Sequence, residues 1–157
     1  FLDECAPGAG MVLGDARLTM ARAADHAYGM IVIDALSSAS IPAHLLTREA
    51  LEMYVRKLAA GGVIVWHISN PYLDLQTVLG NGAAALGLVC LSRDEQRIAE
   101  DRRAQGHLSS HWVVIARATR DLEALARHPA WRKIPGDPHG PVWTDDFSNL
   151  LSVFRWR

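Results

Sequence analysis

The sequence predicts an α/β domain with a mostly parallel sheet that ends in a C-terminal antiparallel hairpin. Apolar runs rich in Val, Ile and Leu recur at 11–13, 30–33, 63–68, 88–91 and 112–116, and runs of that length suit strands covered on both faces rather than helices. Segments with helical spacing alternate with them, the rhythm of right-handed crossovers. Three of the runs stop abruptly at polar clusters: Gly14-Asp15, Asp34 with its serines, and His67 to Asn70. Strand ends of this kind are where open α/β sheets bind ligands.

Each element has its own signal. Residues 1–7 read as the tail of a helix stopped by Pro7 and Gly8. The strand at 11–13 leads into Gly14-Asp15, a short helix is expected over 18–24, and Tyr28-Gly29 reads as a turn. The strand at 30–33 delivers Asp34 to a loop containing Ser37, Ser38 and Ser40, and Pro42 disfavours helix at Ile41. Thr47 is an N-cap, Glu49 suits the first turn, and Leu51, Tyr54, Val55 and Leu58 share a helical face. Arg56 and Lys57 stand in the last turn, and Gly61-Gly62 is read as the stop.

After the strand at 63–68, Asp74 caps a helix that carries Leu75, Val78, Leu79, Ala83 and Leu86 on one side and stops at Gly87. Strands at 88–91 and 112–116 flank a charged connection, 92–110, and form the hairpin. Residues 121–128 make a short helix before Pro129. The segment 141–157, with Trp143, Phe147, Phe154 and Trp156, is expected to pack on the sheet as a cover. The whole, 1–157, reads as a single domain.

Composition narrows the function classes. With 16 basic and 17 acidic residues the net charge is −1, so no global field draws the chain to nucleic acid or anionic lipid. Cys5 and Cys90 are isolated in sequence, which points to a reducing compartment and no disulfide framework. The longest uncharged run, 75–92, is broken by Gln76, Asn81 and three glycines and reads poorly as a membrane span. A cytoplasmic setting without direct membrane contact is expected. Because the sequence opens at Phe1 without an initiator Met, it is expected to be a piece of a longer protein.

Asp34 is the first candidate for chemistry, since an ionised carboxylate at a strand end accepts hydrogen bonds or holds a cation; the competing role is closing its own loop. Asp15 divides between binding and capping the next helix. His67 is a possible base or a hydrogen-bonded structural residue. His107 and His111, four apart, would share a helical face, but no third metal ligand has suitable spacing, and no metal is expected. Asp145 and Asp146 either reach the site from the cover or cap a turn. No Gly-x-Ser-x-Gly elbow is present.

Four ordered stretches carry a resemblance: VLGDARLTMA (12–21), IVIDALSSASIPAHLLTREAL (31–51), GGVIVWHISNPYLDL (61–75) and WTDDFSNLLSVF (143–154). Together they resemble the later half of spermidine synthase-like proteins, and most closely the bacterial group whose domain is fused to a membrane transporter-like region. The resemblance implies a partial Rossmann-like, S-adenosylmethionine-dependent methyltransferase-type fold. It further implies aminopropyl transfer from decarboxylated S-adenosylmethionine to a diamine such as putrescine. By position, Gly14, Asp15 and Ala16 resemble the family's adenine-contacting motif and Asp34 its catalytic Asp, with Ser37, Ser38 and Asn70 beside the substrate. No metal cofactor is implied.

The chain departs from that pattern in two places. The glycine-rich nucleotide loop and the ribose-holding acid would lie upstream of Asp15, and a second loop acid is replaced by Ala39. The missing strands are expected to come from upstream residues or a homo-oligomeric partner. Methyl transfer from S-adenosylmethionine, or a non-catalytic role, are the alternatives on the same scaffold. Asp15 and Asp34 are expected to face one cleft.

Overall fold

The computed structural model describes residues 2–35, 42–70, 72–96 and 98–155. Helix α1 (Leu2–Cys5) ends before Pro7, and α2 (Ala16–Arg22) begins behind Asp15, whose carboxylate Oδ1 accepts the Leu18 N–H at 2.9 Å. Residues 11–13 form no strand. Met11, Val12 and Leu13 are exposed, and the edge strand nearest them in sequence pairs only with its other neighbour among the described residues. An apolar run without a ladder partner leaves its backbone groups to solvent, so local composition alone does not make it a strand.

Strand β1 (Tyr28–Ile33) includes Tyr28 and Gly29, which the sequence reads as a turn. Helix α3 (Arg48–Lys57) starts at Thr47, which accepts the Ala50 N–H at 3.2 Å, and β2 (Leu58–His67) follows at once. Gly61-Gly62 therefore does not stop the helix; it lies inside β2. Tyr28 pairs with Leu58 and Met30 with Val63, so three extra residues of β2 bulge out between those pairs. Gly61 has φ +72°, and a Cβ on Gly62 would lie 2.9 Å from the Tyr28 carbonyl oxygen. The glycines permit that bulge. Arg117 donates to the carbonyls of Val55, Leu58 and Ala59 and satisfies the end of α3.

Helix α4 (Leu75–Ala85) is capped by Asp74, and Gly87 turns the chain with φ +66°. Strand β3 (Val89–Glu95), helix α5 (Glu100–Ala104) and strand β4 (Ser110–Ala116) follow, the charged connection being shorter than 92–110 because both strands extend into it. A 3-10 turn (Thr119–Leu122) runs into α6 (Glu123–Ala126), and β5 (Arg132–Lys133) adds a strand the sequence does not announce.

The sheet order is β1-β2-β4-β3-β5. Among the described residues only β1 and β2 pair in parallel; β4 is antiparallel to both β2 and β3, and β5 to β3. The sheet is mixed rather than mostly parallel, because the hairpin's second strand inserts between β2 and β3. No helix among the described residues is long and apolar enough to cross a membrane.

One face of the sheet carries the main core, in which Ile64 and Trp66 of β2 meet Tyr54 of α3, Leu79 of α4 and the fully packed Trp143. Val63 and Val65 point to the other face, against a smaller cluster around Leu91, Val114 and Leu122. Strand β1 is covered on one side only: Ile31 and Ile33 are buried, whereas Met30 is 58% and Val32 54% exposed. This corrects the expectation of a strand buried on both faces, since an edge strand gains cover only from whatever packs beyond it. The aromatic cover is likewise partial. Trp143 is buried and its carbonyl accepts the Arg48 N–H, while Phe147 and Phe154 stay exposed; Trp156 lies outside the described residues.

Candidate functional site at the strand ends

Register places the first cluster. Ile33 of β1 sits opposite Trp66 of β2, so the next residue of each strand, Asp34 and His67, emerges side by side at the carboxyl edge. His67 Nδ1 lies 2.7 Å from Asp34 Oδ1. Beyond the ring, His67 Nε2 is 2.7 Å from Ser69 Oγ, and that oxygen accepts the His111 backbone N–H at 2.8 Å. The imidazole stacks on Trp112, its register partner on β4, with centroids 4.4 Å apart and planes 20° from parallel. Three strands thus fix one imidazole, and the imidazole holds one carboxylate.

Of the other residues expected here, Ser37 and Ser38 lie outside the described residues, as does Ala39. Asn70 is buried, and its Oδ1 accepts the N–H groups of Tyr72 at 2.8 Å and Leu73 at 3.0 Å. That side-chain carbonyl braces the turn into α4.

A second cluster surrounds Asp15. Gly14 enters it with φ +135°, Ala16 opens α2, and a cleft of about 720 Å³ is lined by Asp15, Arg17, His44, Glu52, Arg56 and Asp145 among others. Asp15 caps α2 through Oδ1 and receives His44 Nε2 at 3.1 Å on Oδ2. Its carboxyl titrates below the usual range, chiefly because of the Leu18 N–H. Asp145 does reach this cleft: Arg17 clasps both its oxygens and Thr47 Oγ1 donates to it at 2.8 Å. Asp34 is not among the residues that line this cleft. One carboxylate rides on α2 beside α3; the other ends β1.

The larger cleft, about 1050 Å³, opens against β3 and β5 between Gln76, Ser92, Asp94, Arg132 and Arg155. At its floor Ser92 Oγ donates to Gln76 Oε1 at 2.8 Å, and buried His111 Nε2 lies within 2.9 Å of Ser92 Oγ and 3.1 Å of Gln76 Oε1. His111 is a buried strand residue and His107 is exposed in the preceding loop, so the two share no helical face. Arg17, His44 and Trp112 carry no sequence signal for their roles, because each acts through a partner distant in the chain.

Fold and site together define an α/β domain with a mixed five-stranded sheet and a polar carboxyl edge. No family model matches the chain, and no curated protein does. Among solved structures it is similar to a probable spermidine synthase from Corynebacterium glutamicum ATCC 13032, with 18% identity over 89% of this chain and 55% of that one, at a TM-score of 0.48. The chain spans about half the length of that structure.

Proposed function

We propose that the chain is part of a transferase of the spermidine synthase type, which moves an aminopropyl group from decarboxylated S-adenosylmethionine to a diamine such as putrescine. The sequence resemblance supports the reaction class. The single observation that carries the site is the Asp34 carboxylate, tied by Oδ1 to His67 and with no partner for Oδ2 among the described residues. A primary amine with a pKa of about 10 is protonated at neutral pH and must lose a proton before it attacks. Asp34 Oδ2 anchors the ammonium and accepts that proton.

The residues around Asp15 fit an adenosyl sulfonium. The cleft of about 720 Å³ has the size of a small-molecule site, and its carboxylates offer acceptors for an adenine amino group and a counter-charge for a cation. Gly14, Asp15 and Ala16 would hold the nucleoside. The co-substrate supplies an electrophilic carbon beside its sulfonium; the chain's part is to bind, orient and deprotonate the amine.

A non-catalytic role is the second reading, favoured by Asp15, whose two oxygens are already engaged by Leu18 and His44. The test is turnover by the full-length protein. Spermidine formed from putrescine and decarboxylated S-adenosylmethionine supports the proposal, a methylated product from S-adenosylmethionine redirects it to methyl transfer, and failure to bind either nucleoside refutes both.

A further inference from the structure

We propose that His67 is the positioning residue of Asp34, setting which carboxylate oxygen meets the amine; this rests on the transferase reading above. An ionised carboxylate has only acceptor sites, so the 2.7 Å contact with Asp34 Oδ1 puts the proton on His67 Nδ1. With the ring neutral, Nε2 is an acceptor and the Ser69 hydroxyl, 2.7 Å away, donates to it. Ser69 Oγ in turn accepts the His111 N–H at 2.8 Å.

The order serine, histidine, aspartate also matches a nucleophile, base and orienter. Two observations give it the opposite polarity here. The Asp34 side chain is 57% exposed against 20% for His67, and Ser69 Oγ is already an acceptor for the strand backbone. The outward end is the carboxylate. His67 and the hydroxyl behind it hold the ring in one tautomer while Trp112 holds its plane, leaving Asp34 Oδ2 turned to the amine. The proton that the ammonium gives up before attack goes to that oxygen; as the nitrogen–carbon bond forms the carbon–sulfur bond breaks, its bonding pair leaves on sulfur, and the product nitrogen keeps its two protons as a secondary ammonium.

Two variants of the full-length protein separate positioning from packing. His67→Asn keeps an amide donor near the Nδ1 position; His67→Leu removes it. With putrescine and decarboxylated S-adenosylmethionine, kcat should fall about 10- to 100-fold in His67→Leu with little change in KM, and His67→Asn should restore most of it. Equal losses in the two variants, or none, would overturn the proposal. Long-range ¹H–¹⁵N correlation of the His67 ring reads the tautomer without turnover: Nδ1–H is expected, and Nε2–H refutes the positioning whatever the activity. The expected tautomer in a protein that turns over neither nucleoside refutes the transferase reading instead, and with it the catalytic use of the pair. Covalent labelling of Ser69 by a fluorophosphonate would reverse the polarity and overturn the assignment.

Discussion

Arg17 and Asp145 are joined by two parallel hydrogen bonds, of 2.6 and 2.7 Å, across 128 positions of sequence. The same Asp145 accepts from Thr47 Oγ1, and its backbone N–H is accepted by Glu49 Oε2 at 3.0 Å. Helix α2 fully buries none of its residues, so beside the packing of half-buried Met20 against the core this polar clasp ties it to α3 and the C-terminal turn.

Asp145→Ala should therefore weaken the fold by about 1 kcal/mol, since the pair is bidentate but partly solvated. Arg17, above all, holds the Asp145 carboxyl below its usual range. A lowered carboxyl contributes stability above the unperturbed value of 3.8 and loses it as pH falls through the folded value. Denaturant midpoints of wild type and variant should differ at pH 7 and converge in acid. A gap that persists in acid would assign the effect to packing.

Asp34→Asn keeps the shape of the side chain and removes its basicity. In the full-length enzyme kcat should drop about 10²- to 10⁴-fold, while nucleoside affinity measured by calorimetric titration stays near the wild-type value. Wild-type turnover in this variant would remove Asp34 from the mechanism.

His111 is buried on β4, and desolvation pushes its imidazole below 6.5; Asp94 and Asp74 oppose that shift, Arg155 and His67 add to it. The unfolded chain then binds more protons as pH drops through 6.5, so stability rises with pH in that window and is lost as pH falls from there toward the lowered folded value. Replacing His111 by Gln should flatten the stability profile between pH 7 and 5. A slope that is unchanged would place the sensitivity elsewhere.

Gly136 has φ +61°, and a Cβ there would lie 2.2 Å from the Gly80 carbonyl oxygen. Gly136→Ala adds a backbone collision to the left-handed penalty and should destabilise on the order of 3 kcal/mol. At Gly87, with φ +66° and nothing within 4 Å of the added carbon, only the dihedral term of about 1–2 kcal/mol applies. Chemical denaturation of the two variants compares them; equal losses would deny the close approach of α4 to the 136 loop.

Local chemistry made several elements readable. The Thr47 and Asp74 caps, the amphipathic spacing of α3 and α4, and the polar break after Ile33 all depend on neighbours within a turn or a few strand residues. Expectations failed where a remote partner decides the state. Residues 11–13 are apolar enough for a strand yet have no ladder to join, and Gly61-Gly62 opens a bulge in β2 against Tyr28 instead of closing α3.

The sequence by itself determined the alternation of strands and helices and put Asp34 and His67 each at the end of an apolar strand, because periodicity and capping are properties of short windows. Only the tertiary structure decided that these ends adjoin, that β4 enters between β2 and β3, and that Arg17 meets Asp145. Those contacts follow from strand order and register. Both are settled by pairing between segments tens of residues apart, whose geometry no short stretch of sequence contains.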